Sequence, residues 1–235
     1  MIINTLMIIL QNIINSKYHY QPSWLLVIMV FSIMILGYLY SAFNSRFNTF
    51  IKSVFVSRFA SQSSREERSL THPVSFFLSL NFILISSLFI LQLISSKVFF
   101  DSGIEFSFFS FLILMTLVFL VYFIKIIVLK VFAYFTAKQE IISEYIFILF
   151  LVNHFLGVAL LPIVVLIAYG PTSFINGIVY VGAIFFLGAF VFRIGRGISA
   201  VLVNRESTLF YLILYLCTLE ILPLIIGIKL FERLS

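Results

Sequence analysis

The sequence predicts an all-α polytopic membrane protein, a bundle of six spanning helices with short amphipathic or interfacial helices beside it. Of its 235 residues, 62% are hydrophobic and only 10% are charged, whereas ordinary soluble domains carry about 25% charged residues. The apolar residues also form continuous runs of the length that an α-helix needs to cross the hydrocarbon core. This composition excludes a soluble enzyme, a nucleic-acid-binding domain and a disordered chain.

The chain is interpreted as a short first segment followed by one transmembrane domain. We expect residues 1–23 to form an extracytoplasmic amphipathic segment, because their apolar part is too short to span easily. Residues 1–16 could instead form a stub packed against the bundle. A seventh span there is the minority alternative, and it would place the N-terminus in the cytoplasm. The transmembrane domain covers residues 24–231, and its predicted spans are 24–43, 73–96, 107–130, 145–168, 174–192 and 208–231.

A cytoplasmic interfacial helix and loop are predicted between the first two spans, over residues 44–72. Within residues 44–60, one helical face carries Phe47, Phe50, Ile51 and Val54, with Lys52 opposite. That pattern is typical of a helix that lies in the membrane interface.

Lysine and arginine residues predict the orientation. Eleven of the 15 fall on one side of the six spans and four on the other, and cytoplasmic loops carry the excess. We therefore predict a multi-pass protein of a bacterial inner membrane with both termini extracytoplasmic, and we interpret the net charge of +6 as orientation rather than nucleic-acid binding. The predicted cytoplasmic anchors are Arg46, Lys52, Arg58, Arg65, Arg68, Arg193, Arg196 and Arg205.

Glu220 is the acidic residue that lies deepest in a predicted span. It stands about 12 residues into the sixth span, inside YLCTLEILPL. A charged group at that depth costs roughly 2.5–3.5 kcal/mol on insertion scales, so it usually faces the bundle interior. Two interpretations stay open with equal weight: a functional carboxyl group, or a neutral, hydrogen-bonded residue that ties helices together.

His154, Asn153 and Asn81 complete the candidate intramembrane polar site. His154 lies roughly 14 Å from the cytoplasmic start of its span and Glu220 roughly 18 Å from the same side, at 1.5 Å per residue. The two residues can therefore lie at similar depth, which would suit proton transfer. The alternative, a polar contact between helices, is favoured for this pair.

Prolines and glycines predict local helix geometry. Pro162 in the fourth span and Pro223 in the sixth are predicted to kink their helices. Gly177, Gly188 and Gly195 are spaced to share one face, which predicts a close-packing surface on the fifth helix.

Motifs for catalysis and cofactor binding are absent from the sequence. It contains no glycine-rich phosphate loop, no HExxH, no GxSxG and no CxxC, and it has a single cysteine, Cys217. We therefore assign no catalytic residue, no metal site and no cofactor. The expected partners are the lipid bilayer and either another membrane protein or further copies of this chain.

Three strings resemble a bacterial family of membrane proteins that carry a domain of unknown function, found chiefly in Bacteroidota. They are LTHPVSFFLSLN, NHFLGVALLP and LYLCTLEILPL. The resemblance covers about residues 24–233, implies an all-helical inner-membrane protein and brings no activity or catalytic residue with it. The family-like positions are Asn81, Asn153, Pro162, Glu220 and Pro223.

Three functions are weighed. The leading hypothesis is a non-enzymatic subunit or scaffold of a membrane complex, because the soluble loops are small and motifs are absent. The alternative is a small transporter, channel or lipid-handling protein with a mid-membrane polar site around Glu220 and His154. An intramembrane enzyme that uses these two residues as acid and base is the minority hypothesis.

Overall fold

The computed structural model describes residues 22–42, 73–96, 106–136 and 139–202 of the chain. Within these ranges five α-helices account for nearly all residues and no strand occurs. In chain order the helices are α1 Ser23–Ala42, α2 Pro73–Ser95, α3 Phe108–Thr136, α4 Gln139–Tyr169 and α5 Thr172–Leu202.

All five helices are long and apolar enough to cross a membrane. They coincide with the first five predicted spans, which confirms the all-helical fold in this part of the chain and is consistent with a multi-pass membrane protein. The sixth predicted span, the first segment and the interfacial helix with its loop lie outside the described residues. So do Glu220, Pro223, Arg205 and the predicted anchors between residues 44 and 72.

Helices α2 and α4 form the centre of the described bundle. Helix α2 packs against α1, α3 and α4, and α4 also packs against α3 and α5. Residues 81–89 of α2 are all buried, as expected for a helix that has neighbours on every side. The other three helices therefore surround this central pair.

The contacts between side chains show that successive helices alternate in direction. Ser79 lies beside His154 and Gln92 beside Val164, so α2 and α4 run parallel. Helix α1 is antiparallel to α2, since Ser32 contacts Asn81 and Tyr38 contacts Phe77. We call the end at which α2 and α4 start, and α1, α3 and α5 finish, the basic end.

The close approach of α2 and α4 depends on Gly157. A Cβ atom built at this position would lie 2.7 Å from the Cα atom of Phe82, so any side chain would collide with the α2 backbone. A small residue at such a contact lets two membrane helices approach closely. Gly182 of α5 is a second packed glycine, because its Cβ would lie 2.6 Å from the ring of Phe89.

The predicted glycine face of the fifth helix has no close neighbour among the described residues. A Cβ atom at Gly177, Gly188 or Gly195 meets nothing within 4 Å, and all three positions are exposed. Their shared face points away from α2 and α4, whereas Gly182 points toward them. Spacing alone identified a common face but not the direction in which that face points.

The residues directly after the fifth predicted span are helical in the structure. Helix α5 continues to Leu202, so Arg193 and Arg196 belong to the helix rather than to a loop. The apolar stretch ends near Gly195, but no proline follows to break the backbone, and the helix extends past it. Arg193 is also not an outward-pointing anchor, as its contacts below show.

A two-residue connection joins α4 to α5. Gly170 follows the last residue of α4, and its backbone N–H donates to the carbonyl oxygen of Leu166 at 2.8 Å. A Cβ atom at Gly170 would collide with that same oxygen, and Pro171 cannot continue the α4 hydrogen-bond pattern. The sequence GP therefore ends α4 and turns the chain into an antiparallel hairpin.

Candidate functional site

A hydrogen bond between α2 and α4 lies at the centre of the candidate site. The Oγ atom of Ser79 is 2.8 Å from Nε2 of His154. His154 is buried, and the ring of Phe150, one turn earlier on α4, lies beside it with 5.7 Å between centroids. Gly157 lies one turn after His154, so the close approach of the two backbones brings this short serine side chain within reach.

Tyr122 of α3 adds a hydroxyl group to the same place. Its ring packs between Phe82 and Phe150, at centroid distances of 6.1 and 5.5 Å. The hydroxyl group is buried and lies beside Ser79 and Asn153. The aromatic contacts thus hold a polar atom inside the bundle.

Arg193 of α5 also reaches the site. Its Nη1 atom donates a hydrogen bond to Oδ1 of Asn153 at 3.2 Å. Its Cζ atom lies 5.1 Å from the ring centroid of Phe190, three residues earlier on the same helix. The side chain therefore points back along α5, as the Cα–Cβ direction of a helix favours, and a cation–π contact supports the charge.

Five side chains from four helices thus converge, and we call them the polar cluster. All lie in the half of the bundle next to the basic end. Because α2 and α4 begin there while α3 and α5 finish there, residues early in one pair meet residues late in the other. The members of the polar cluster are Ser79, Tyr122, Asn153, His154 and Arg193.

Asn81 belongs to a different contact. It follows Ser79 by two residues, which puts it on the opposite side of α2, and it accepts a hydrogen bond from the hydroxyl group of Ser32 on α1. Its Nδ2 atom is buried without a partner. The structure therefore brings His154 and Asn153 together with Ser79, while Asn81 faces α1 instead.

Sequence reasoning did not include three members of the polar cluster in the candidate site. Serine is common in membrane helices, and nothing in the sequence distinguishes Ser79. Tyr122 stands three residues before Lys125 in the third span, but its sequence position does not show that its hydroxyl group faces the bundle. Arg193 was interpreted as an anchor because a basic residue near a span end normally extends toward water.

The remaining candidates are placed as follows. Pro162 lies inside α4 without ending the helix, and it is exposed on the outer side. Among the residues that the structure describes, no three His, Cys, Asp or Glu side chains could hold a metal ion together. The absence of a cofactor and of a catalytic residue stays a prediction.

The described residues form an all-helical bundle of five helices that are long and apolar enough to cross a membrane, with polar side chains inside one half of the bundle. The chain belongs to the family of the domain of unknown function DUF4271, whose model matches residues 24–231. This match confirms the resemblance to a domain of unknown function; a bacterial origin in Bacteroidota stays a prediction. No curated protein and no solved structure matches the chain.

Proposed function

We propose that the protein is a non-enzymatic subunit or scaffold of a membrane complex. The supporting observation is how the deeply placed polar side chains are used. Ser32 bonds to Asn81, Ser79 to His154, Gln92 to the carbonyl oxygen of Val164, and Asn153 to Arg193. Each of these bonds joins two helices, and such bonds fix helix positions in a membrane.

The outer surface of the bundle suits contact with lipid and with another protein. Only 11% of the apolar stretch of α3 is buried, and the same holds for α5. Phe109, Phe119 and Ile184 are among the large apolar side chains that are exposed there. A scaffold needs a fixed interior and an accessible surface, and the described helices have both.

Photo-cross-linking in native membranes tests this proposal. A photoreactive amino acid replaces one exposed, mid-span residue on each outer helix in turn: Phe31 on α1, Phe119 on α3 and Ile184 on α5. A subunit is expected to give a discrete cross-linked protein from one helix face, with a fixed stoichiometry that reciprocal purification reproduces. The three positions control for one another, and cross-linking to lipid alone from all of them would contradict the proposal.

The second candidate is a small transporter, channel or lipid-handling protein. The observation that favours it is the convergence of polar side chains from four helices on one level of the bundle. Exchanging Glu220 for Gln separates the two candidates, because the amide keeps the shape but cannot carry a proton. A proton-coupled transporter with this exchange is expected to lose its transport activity while its expression stays intact. A scaffold is expected to keep both its assembly with other proteins and its phenotype.

We also propose that the basic end faces the cytoplasm of a bacterial inner membrane and that both termini are extracytoplasmic. The excess of lysine and arginine near that end supports this orientation. A topology reporter fused after Ser96 is expected to lie outside the cytoplasm. The same reporter fused after Lys138 is expected to lie in the cytoplasm. The opposite pattern would reverse the orientation.

A further inference from the structure

The positive charge of Arg193 lies inside the bundle. Its backbone is two residues from the end of the apolar stretch Phe174–Gly195 of α5, where a basic side chain can normally extend to the interface. The side chain instead donates to Asn153 and lies over the ring of Phe190. Arginine stays charged in proteins, and charged groups at bilayer depth commonly pair with one another.

The apolar stretches of the described helices contain basic but no acidic side chains. Lys125, Lys130 and Arg193 lie within them, whereas no Asp or Glu of the described residues does. In the whole sequence, Glu220 is the one acidic residue inside a predicted span. Charge complementarity therefore favours the segment 208–231, which carries Glu220, as the part of the chain that balances a buried cation.

The length of the connection after α5 limits where this segment can lie. Helix α5 ends at Leu202, at the basic end, and residues 203–207 separate it from the sixth predicted span. A link of this length reaches at most about 18 Å, so the segment starts beside the end of α5 and returns antiparallel to it. Short connections place consecutive helices next to each other in this way.

Glu220 then lies at the depth of the Arg193 guanidinium group. Residues 190 and 220 are equally far along the chain from residue 205, the middle of the link. In the α4–α5 hairpin, the same counting places Phe190 within about one helical turn of Asn153, and Arg193 contacts both. The two opposite charges are therefore expected at one level of the bundle.

The helical face that carries Glu220 matches a strip of residues along α5. We call Ala183, Leu187, Phe190 and Ile194 the flank strip; their spacing of three and four residues places them on one face of the helix. All four are partly or fully exposed among the described residues. Each has a counterpart that is equally far from residue 205 and lies on the Glu220 face. The pairs are Ala183 with Gly227, Leu187 with Pro223, Phe190 with Glu220, and Ile194 with Leu216.

We infer that the flank strip is the docking surface of the segment 208–231 and that Glu220 forms an ion pair with Arg193 there. The pair acts alongside the hydrogen bond to Asn153, so Arg193 connects α5 both to α4 and to the sixth predicted span. The inference is independent of the proposed subunit role, because a scaffold and a transporter both need the segment held in place. The amide oxygen in Glu220→Gln still accepts a hydrogen bond from Arg193, so that exchange remains a test of proton transfer.

Cysteine cross-linking in native membranes tests the docking surface, with Cys217→Ser as the background. Ala183→Cys combined with Gly227→Cys, and Ile194→Cys combined with Leu216→Cys, are expected to be joined within one chain by a short bifunctional thiol reagent. The matched control is Ile184→Cys combined with Gly227→Cys, because Ile184 is turned about 100° around α5 from its neighbour Ala183 and should give roughly fivefold less product.

Peptide mass spectrometry identifies the cross-linked pair. Equal product from the control would overturn the docking surface. A cross-linked dimer from Ala183→Cys alone would place a second copy of the chain on the flank strip, which also overturns it.

Charge exchange tests the ion pair. Arg193→Glu brings two carboxyl groups to one level and is expected to lower the yield of monodisperse protein at least about threefold, since like charges at bilayer depth are costly. Adding Glu220→Arg should restore most of that yield, because Asn153 can donate a hydrogen bond as well as accept one. Lys130→Glu alters an exposed charge at the same end, and its yield should not rise when Glu220→Arg is added.

Two results would show that the pairing is wrong. If Glu220→Arg restores the yield of Lys125→Glu but not that of Arg193→Glu, then Glu220 pairs with the buried Lys125 of α3. If both cysteine pairs cross-link but Glu220→Arg restores neither variant, the segment docks on the flank strip without an ion pair. None of these measurements involves a partner protein, so their failure is distinct from failure of the subunit proposal.

Discussion

Helices α2 and α4 differ from α3 and α5 in burial far more than in apolar character. In the apolar stretches of α2 and α4, 61% and 56% of the residues are buried, against 11% in both α3 and α5. What distinguishes the central pair is the polar and small residues that face neighbouring helices, such as Asn81, His154 and Gly157. Lipid is as apolar as leucine, so packing and hydrogen bonds, rather than hydrophobicity, decide which helix lies inside a membrane bundle.

The substitution with the largest expected effect fills the contact between the central helices. In Gly157→Leu the new side chain meets the backbone of Phe82, which cannot move aside without separating α2 from α4. We expect a loss of about 3 kcal/mol or more in the free energy of unfolding, at the upper end of overpacking effects. Thermal unfolding in detergent, followed by size-exclusion chromatography, measures it.

Gly177→Leu is the matched control, because a Cβ atom there meets nothing within 4 Å. It should leave the melting temperature nearly unchanged or raise it slightly, since leucine favours helix over glycine. Equal destabilisation by the two variants would show that glycine matters for the helix itself and not for the contact.

A smaller effect is expected from truncating one buried leucine. Leu149 on α4 is fully buried, whereas Leu117 on α3 is 46% exposed. Leu149→Ala should lower the free energy of unfolding by about 2 kcal/mol, because a cavity remains inside the bundle. Leu117→Ala should lower it by less than about 0.5 kcal/mol. Chemical unfolding in mixed micelles measures the free energy of unfolding of both variants. A large decrease for Leu117→Ala would indicate that α3 packs against another protein.

The smallest effect concerns the bond between Ser79 and His154. A double-mutant cycle with Ser79→Ala and His154→Phe should give a coupling energy of about 0.6 kcal/mol, the average for such bonds in membranes. The cycle cancels the packing change that each single variant causes. A coupling energy near zero would show that the 2.8 Å contact contributes nothing to the association of α2 with α4.

The positions of the five described helices were predictable from the sequence, because long apolar runs have no other stable form inside a bilayer. The ends of these helices were harder to predict. Hydropathy marks only the part that lies in hydrocarbon, and α3 continues past Lys130 to Thr136 while α4 already begins at Gln139. The helical hydrogen-bond pattern can continue past the apolar stretch, so hydropathy does not locate the end of a helix.

The polar cluster was only partly predictable. His154 and Asn153 were identified because polar groups at membrane depth are costly and must face protein. The inward direction of the Arg193 side chain was not predicted, because sequence position gives the location of the backbone but not the direction of a long side chain. Likewise, the common face of Gly177, Gly188 and Gly195 follows from helical spacing, yet only a neighbouring residue such as Phe89 makes a glycine necessary, as it does at Gly182.

The two-residue connection between α4 and α5 has a consequence for the assembly of the protein during synthesis. With Gly170 and Pro171 as the whole link, α4 and α5 are expected to leave the translocation channel as one hairpin rather than as separate helices. Asn153 then already lies beside α5 when Arg193 arrives, and the arginine never needs to face lipid alone. A glycosylation-mapping assay is expected to show that α5 inserts into the membrane less efficiently when the preceding helix α4 carries Asn153→Leu.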